Sequence, residues 1–246
     1  MVNSERSITG TTPSASVLSR RSWNCKPNPE GNAEPLAHWA FDATSGTTII
    51  DSSGNGFNAT AVGPQRSEDG VDGGSLGFDG TNGQVDLPVS TFAGIDREIS
   101  VSRWVKGSGE KSVKTSIFGA HNASGGRILN IHLPWSNGDV YRDAGNSTGA
   151  DRLIASASES EYSDDWNHWV FTKNAGTGEM KIYVNGQLKE GSSGNFKPIA
   201  DVASATIGGE VTRNYYDGGI DDFRIYDVEL SAGQVLIFIT TLHHST

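Results

Sequence analysis

The sequence has few of the features that mark disulfide-stabilised, nucleic-acid-binding or membrane-spanning proteins. Cys25 is the only cysteine among 246 residues, so no disulfide can form within the chain. Lysine and arginine total 19 against 29 aspartates and glutamates, and the net charge of −10 disfavours contact with phosphate backbones. The apolar stretch Val235 to Thr241 is far too short to cross a bilayer. We therefore expect neither a nucleic-acid partner nor a membrane span.

The N-terminal segment, residues 1–34, lacks the periodicity of the rest of the chain. It is rich in Ser, Thr, Arg, Asn and Pro, and its first 25 residues contain no apolar run of signal-peptide length. We interpret it as an arm or linker whose Trp23 docks onto the domain or a neighbour, and residues 35–246 as one domain. The chain is then either a segment of a larger secreted protein or one with an absent or unusual export signal. An extracellular or cell-surface location is expected.

Proline is scarce, with 8 residues, whereas glycine is abundant, with 31, which suits many tight turns between short strands. Ala37, Trp39 and Phe41 alternate with more polar residues, as in a half-buried strand. The same period recurs around 99–105, 166–172 and 180–184. Short strands at this spacing predict a sandwich or a barrel. We expect one short helix or a turn near the end, around Glu229 to Ile237, and no helix elsewhere.

Turn-forming residues predict how several strands connect. Asn174 to Gly178 and the pair Asn185-Gly186 are typical of hairpin turns. Asp79 to Gly83 lies between two short apolar stretches and predicts a third hairpin.

Seven short stretches, taken together and in order, resemble the laminin-G-like, concanavalin A-like jelly-roll family of lectins and glucanases. The resemblance covers roughly residues 36–234, and it is carried by residues 38–42, 51–56, 76–83, 100–105, 166–170, 181–186 and 219–227. It implies an all-β, two-sheet antiparallel β-sandwich, a ligand-binding face, often a bound calcium, and glycan or protein ligands outside cells. The sequence departs from the family at Arg103, where an aromatic or aliphatic residue is usual. We expect this arginine to reach solvent or to mark a different groove.

A structural calcium is the cofactor that we expect. Calcium prefers six to eight hard oxygen ligands. The loop after Asp51 offers carboxylate and amide oxygens, and Asp221 lies on a strand whose neighbouring side chains look apolar. We predict Asp51, Asn55 and Asp221 as ligands, with Asp42 and Asp222 in reserve. The alternative is that Asp51 caps a turn and Asp221 accepts backbone hydrogen bonds.

A carbohydrate surface is the binding site that we expect. Sugar sites pair an aromatic platform with planar polar side chains. Two segments, 130–143 and 213–217, have this mixture, and the candidate ligand-binding residues in them are His132, Trp135, Tyr141, Arg142, Tyr215 and Tyr216. The alternative for Trp135 and Tyr141 is a place in the core, whereas at least one of the two adjacent tyrosines should be exposed.

Catalysis has weaker support. Glycosidases on this fold use closely spaced paired carboxylates, and the sequence has no Glu-x-Asp-x-x-Glu stretch. The one catalytic grouping that the sequence suggests is His132, Tyr141 and Arg142, which supplies the residue types of a polysaccharide lyase.

Three functions therefore remain open. The first is a non-catalytic carbohydrate-binding or adhesion module that recognises a polysaccharide or glycoprotein glycan. The second is a polysaccharide lyase or hydrolase acting on an acidic polysaccharide. The third is a structural or assembly protein whose sandwich contacts other domains or neighbouring subunits.

Overall fold

The computed structural model describes residues 31–108 and 114–242. The predicted arm, with Trp23, lies almost entirely outside the described residues, so its docking stays a prediction. The strands are β1 (Ala37–Trp39), β2 (Thr48–Ile49), β3 (Ala59–Val62), β4 (Gln65–Ser67), β5 (Ser75–Asp79), β6 (Gln84–Asp86), β7 (Glu98–Gly107), β8 (Phe118–His121), β9 (Arg127–His132), β10 (Asp139–Asn146), β11 (Gly149–Ser156), β12 (Asn167–Asn174), β13 (Glu179–Val184), β14 (Gln187–Ser192), β15 (Ser204–Ile207) and β16 (Asp217–Tyr226). One α-helix, α1 (Ala232–Leu242), follows them.

The described strands form two antiparallel sheets of eight strands each. The first sheet has the order β14-β13-β12-β7-β16-β5-β4, and β1 pairs with the far half of β16. The second sheet has the order β11-β10-β9-β8-β15-β6-β3-β2. The predicted all-β sandwich is confirmed.

The core lies between the sheets and follows the predicted alternation. Trp39 and Phe41 in the first strand region, and Trp169 and Phe171 in β12, are buried in one continuous apolar cluster to which both sheets contribute. Each large aromatic side chain removes about 150–250 Å² of surface from water, which makes these residues major contributors to stability.

Two of the three predicted hairpins are confirmed. β12 pairs with β13 across Asn174–Gly178, and β13 pairs with β14 across Asn185-Gly186, whose φ angles of 47° and 77° fit a tight hairpin turn. The hairpin predicted across Asp79–Gly83 is wrong. β5 pairs within the first sheet and β6 within the second, so this segment crosses between the sheets.

The expectation for Arg103 is also wrong. Its side chain neither reaches solvent nor lines a groove, because it is fully buried and its guanidinium lies 4.2 Å from the centre of the Phe171 ring.

Helix α1 covers the outer face of the first sheet. It begins three residues after Glu229 and ends five residues after Ile237, so it lies slightly further along the chain than predicted. Val235 from the helix packs with Val170, Tyr183, Tyr226 and Leu230 in a second, smaller apolar cluster. Within the described part of the chain, no helix has the length and apolar character needed to span a membrane.

Candidate functional site

The outer face of the second sheet carries the aromatic residues that the sequence singled out. His132 in β9 pairs with Tyr141 in β10, so the two side chains share one face. Their neighbours Ile131 and Val140 belong to the core on the other face. Trp135 lies in the turn between these strands, where its backbone closes the hairpin by hydrogen bonds with Asp139 and Gly138.

His132, Trp135 and Tyr141 form what we call the aromatic cluster. The ring centres of His132 and Trp135 are 4.1 Å apart, and Tyr141 lies edge-on to both, at 6.2 Å from His132 and 6.5 Å from Trp135. His132 is buried beneath the other two, whereas Trp135 and Tyr141 are partly exposed. The structure therefore brings three of the six predicted ligand-binding residues together.

His132 is held as a neutral base beneath this surface. Burial lowers its pKa to about 4, against the opposing effect of a hydrogen bond to the Thr115 carbonyl. Its Nδ1 lies 3.0 Å from that carbonyl oxygen and 2.8 Å from Ser116 Oγ. Because a carbonyl can only accept, Nδ1 carries the proton and Nε2 is left as an acceptor. A neutral ring with one free acceptor can receive a hydrogen bond from a hydroxyl group.

Polar side chains surround the two exposed rings. Asn137 Nδ2 donates to the Tyr141 hydroxyl at 3.0 Å, and the Arg152 guanidinium lies 5.5 Å from the centre of the Tyr141 ring. The Lys114 ammonium lies 5.8 Å from the centre of the Trp135 ring. We did not predict these three residues as site residues. Asn137 lies within segment 130–143, whose composition predicts a sugar site, whereas Arg152 is identified only by the pairing of β10 with β11.

A cavity of about 360 Å³ opens beside Trp135. Its lining residues are Pro134, Trp135, Ser136, Asn137, Gly138, Ala157, Glu159 and Tyr162. This volume is within the range of small-molecule sites.

A chain of ion pairs continues the same outer face next to the aromatic cluster. Arg152 contacts Asp143 at 2.6 Å, Asp143 contacts Arg127 at 2.8 Å, and Arg127 contacts Glu210 at 2.7 Å. Burial alone would raise the pKa of Glu210, but hydrogen bonds from Arg213 and Arg127 lower it to about 2. We call these residues, including Arg213, the ionic chain, and it fixes Arg152 against Tyr141.

A glycine allows the Glu210 loop to close onto the sheet. A Cβ atom at Gly119 would lie 2.9 Å from the Glu210 Cα, closer than real Cβ atoms approach a backbone. Gly119 is directly opposite Asn130 in β9 and Thr206 in β15, so the loop crosses the middle of this face.

Two of the predicted ligand-binding residues are not on this surface, and their prediction is corrected. Arg142 is fully buried because it follows Tyr141 in β10 and therefore points into the core. Tyr216 is buried at 2% exposure, whereas its neighbour Tyr215 is partly exposed and packs near Gly209. Of the two adjacent tyrosines, only Tyr215 is partly accessible to solvent.

The lyase grouping is separated by the same alternation. His132 and Tyr141 share the outer face, but Arg142 lies on the opposite face of β10. The structure therefore does not assemble the three side chains around one substrate position.

The predicted calcium ligands have separate hydrogen-bond partners. The Asp51 carboxylate accepts backbone N–H groups of His38, Ser53 and Phe57, while Asn55 Nδ2 donates to the Leu36 carbonyl. Among the described residues, no three His, Cys, Asp or Glu side chains form a group that could hold a metal. The site at Asp51, Asn55 and Asp221 thus stays a prediction.

Asp221 differs from Asp51 because one of its carboxylate oxygens has no hydrogen-bond partner among the described residues. Its Oδ2 accepts the N–H groups of Val71 at 2.7 Å and Asp72 at 3.3 Å. Its Oδ1 is buried and accepts no hydrogen bond from any described residue. Burial raises the pKa of Asp221 to about 7, although the backbone N–H groups of Val71, Asp72 and Asp222 act to lower it. A hard cation fits this oxygen better than it fits the saturated carboxylate of Asp51.

Solved structures with the same fold include sugar-binding and receptor-binding domains. Domain 4 of AbnA, an extracellular arabinanase of Geobacillus stearothermophilus solved in complex with arabinotriose, has 22% sequence identity and a TM-score of 0.67 and covers 85% of this chain and 99% of that one. The binding domain of botulinum neurotoxin serotype G has 17% identity and a TM-score of 0.68 and covers 84% of this chain and 51% of that one. The binding domain of Paraclostridial Mosquitocidal Protein 1 has 19% identity and a TM-score of 0.65, with 85% and 52% covered. The chain thus spans about half the length of the toxin binding domains.

Sequence comparison gives the family. No curated protein sequence matches the chain. The family model Laminin_G_3 matches residues 79–236, and the chain therefore belongs to the concanavalin A-like lectin/glucanases superfamily.

Proposed function

We propose that the chain is a non-catalytic carbohydrate-binding module that recognises an extracellular polysaccharide or glycoprotein glycan on the outer face of its second sheet. The observation that carries this proposal is the aromatic cluster, in which two partly exposed rings are held by hydrogen-bonding and charged neighbours. A sugar ring has an apolar C–H face and a rim of hydroxyl groups, so it matches an aromatic platform beside planar polar groups.

Charge and rigidity support a sugar ligand at this position. Arg152 presents a planar guanidinium next to Tyr141, Asn137 Nδ2 donates to the Tyr141 hydroxyl, and the ionic chain fixes Arg152 without relying on a ligand. A preorganised surface loses less conformational entropy on binding than a mobile one. The arabinanase domain, which was solved with arabinotriose, has the same fold, and this makes linear oligosaccharides a sensible first class of ligand.

The test begins with a glycan array and continues with titration of arabinotriose and of the best array ligand. Replacing Trp135 with alanine removes the larger exposed ring, and we expect Kd to rise at least about tenfold, equivalent to ~1.4 kcal/mol. Because Trp135 is only partly buried, the melting temperature should change little. Isothermal titration calorimetry measures the first effect and thermal unfolding the second.

Phe196→Ala is the matched control. Phe196 is an exposed aromatic side chain, at 61% exposure, on a loop that contacts Gly178 rather than the aromatic cluster. This variant should bind like the unaltered protein. Equal loss of affinity in both variants, or no glycan bound by the unaltered protein at all, would remove the support for this function and favour the assembly alternative.

We also propose that a structural calcium binds at Asp221. Its support is the buried Oδ1 atom without a hydrogen-bond donor among the described residues, beside the loop that carries Asp72. Bound calcium would supply positive charge that keeps Asp221 ionised and would stiffen this loop.

Chelation gives a direct test of the calcium proposal. We expect a chelator to lower the melting temperature by about 5 °C, because the ion stabilises only the folded chain. Asp221→Asn should remove this response, while Asp96→Asn, a change at an exposed carboxylate, should keep it. If the melting temperature of the unaltered protein is the same with calcium and with chelator, the proposal is wrong.

A further inference from the structure

The interior between the sheets contains two arginines. Arg103 extends inward from β7 in the first sheet, between Val101 and Val105, and Arg142 extends inward from β10 in the second sheet. Both side chains are fully buried. They are among the largest buried side chains of a domain whose sequence as a whole is acidic.

Most of their hydrogen-bond donors have no protein partner. Within the described residues, Nε, Nη1 and Nη2 of Arg103 make no hydrogen bond, and neither do Nε and Nη2 of Arg142. Arg142 Nη1 donates to the Asp143 carbonyl at 2.9 Å. The buried Tyr216 hydroxyl also lacks a partner among these residues. Buried donors without an acceptor destabilise the folded state and are uncommon in proteins.

The three groups act on one another electrostatically. Burial lowers the pKa of Arg103, the positive charge of Arg142 lowers it further, and Tyr216 acts in the opposite direction. Burial likewise lowers the pKa of Arg142, to about 10, with Asp143 opposing. Because a guanidinium keeps its proton in proteins, both groups stay charged at neutral pH and repel each other across the core.

Lys173 is a buried cation in the same core, and unlike Arg103 it has hydrogen-bond partners. Its ammonium group is fully buried but donates to Asp151 Oδ2 at 2.7 Å and to the Ala144 carbonyl at 2.9 Å. Among the described residues, Arg103 has the Phe171 ring, 4.2 Å from its guanidinium carbon, which offers a weak attraction on one side. Water could satisfy the free donors, but it would not neutralise two positive charges buried in the same core.

We propose that Arg103 and Arg142, together with the Tyr216 hydroxyl, bind a small inorganic anion of the halide class between the two sheets. The donors come from both sheets, so the anion ties the sheets together. A monoatomic ion suits a closely packed interior better than a larger oxyanion. Because this anion lies in the core and the proposed sugar site on the outer face, the two proposals can fail independently.

The test compares thermal unfolding in sodium chloride with unfolding in sodium gluconate at the same ionic strength, after purification without halide. We expect the melting temperature to rise with the logarithm of the chloride concentration once that concentration exceeds Kd, by about 5–10 °C in total at a hundredfold excess. A melting temperature that is the same in both salts would overturn the proposal.

Variants separate specific binding from a general salt effect. Arg103→Met and Arg142→Met should each lose most of the chloride response, because each removes half of the site. Arg97→Met, a change at an exposed arginine, should keep the whole response. A full response in either core variant would also overturn the proposal.

A crystal of the unaltered protein grown in bromide tests the site even if a core variant does not fold. Anomalous density between the two guanidinium groups would support the proposal. Density at that position without an anomalous signal would identify water and exclude the anion.

Discussion

Replacing Glu210 with alanine is expected to destabilise the domain by about 3–5 kcal/mol, the usual cost of removing one partner from a buried ion pair. The Glu210 carboxylate is fully buried and accepts hydrogen bonds from Arg127, Arg213 and Asn214, the last at 2.7 Å. Without it, the Arg127 guanidinium keeps Asp143 but loses its other carboxylate, and the loop over Gly119 loses its anchor. Urea denaturation at pH 7 measures the loss.

Glu190→Ala is the matched control, because that glutamate is exposed in β14 and should contribute within about 0.5 kcal/mol. A Glu210→Ala variant as stable as this control would contradict the expectation. The pKa of Glu210 is lowered to about 2, so its stabilisation is present above its ordinary pKa of about 4.5 and is lost as pH falls toward 2. The Glu210 variant should therefore lose less stability than the unaltered protein over that range.

Loss of Glu210 should also weaken binding at the proposed sugar site. The ionic chain leads from Glu210 through Arg127 and Asp143 to Arg152, which lies over Tyr141. Glu210 acts on the aromatic cluster through these intermediate side chains, so it is a positioning residue. A weaker glycan affinity in a variant that still folds would show that the chain of contacts orients Arg152.

The fold could be predicted from local patterns because alternation records burial directly. Ala37 and Trp39 in β1, and Trp169 and Phe171 in β12, enter the core with the two-residue period that a sandwich face imposes. The other face of β12 is also largely buried, because helix α1 packs on it. The prediction for Asp79–Gly83 is wrong for a physical reason. A turn-rich sequence between two short apolar strands looks the same whether the strands pair with each other or enter opposite sheets.

The site could be predicted only in part because strand register decides which side chains meet. His132, Trp135 and Tyr141 come from one hairpin, so their proximity follows from local sequence. The contribution of Arg152 depends on pairing between β10 and β11, which the sequence does not reveal. The sequence places Arg142 at the surface because arginine is rarely buried, and only its position next to Tyr141 in a strand argues otherwise.

The interior polar groups are the clearest departure from sequence expectation. Arg103 and Arg142 violate the rule that charges stay at the surface, and they do so at positions where the alternation demands an apolar residue. Departures of this kind commonly mark a functional or strained feature. An anion between the two arginines would explain why the core retains them, whereas the aromatic cluster follows ordinary rules for an exposed binding face.

When His168 is replaced with glutamine, the domain is expected to lose about 3 kcal/mol less stability between pH 7.5 and pH 4 than the unaltered protein loses. His168 lies in β12 under helix α1, with its ring 5.0 Å from Trp104 and 5.5 Å from Phe238. Burial lowers its pKa to about 3, although Asp222 acts to raise it. Its Nε2 contacts Ser102 Oγ at 2.8 Å, while the buried Nδ1 has no hydrogen-bond partner among the described residues.

The sign of this pH dependence follows from the difference between the pKa of His168 in the folded chain and its pKa in the unfolded chain. An unfolded histidine accepts a proton near pH 6.5, whereas the folded His168 resists protonation until about pH 3, so acid favours the unfolded chain throughout this interval. In the calcium-free protein Asp221 acts in the opposite direction, because its raised pKa of about 7 means that protonation on acidification stabilises the fold. For the unaltered protein, the change in the free energy of unfolding with pH combines these effects. The difference in this change between the unaltered protein and its His168→Gln variant isolates the contribution of the histidine. Urea denaturation of both proteins at pH 7.5 and pH 4 gives that difference. Equal acid-induced losses in the two proteins would mean that His168 titrates normally, and the packing of α1 over β12 would then have to leave its ring accessible to water.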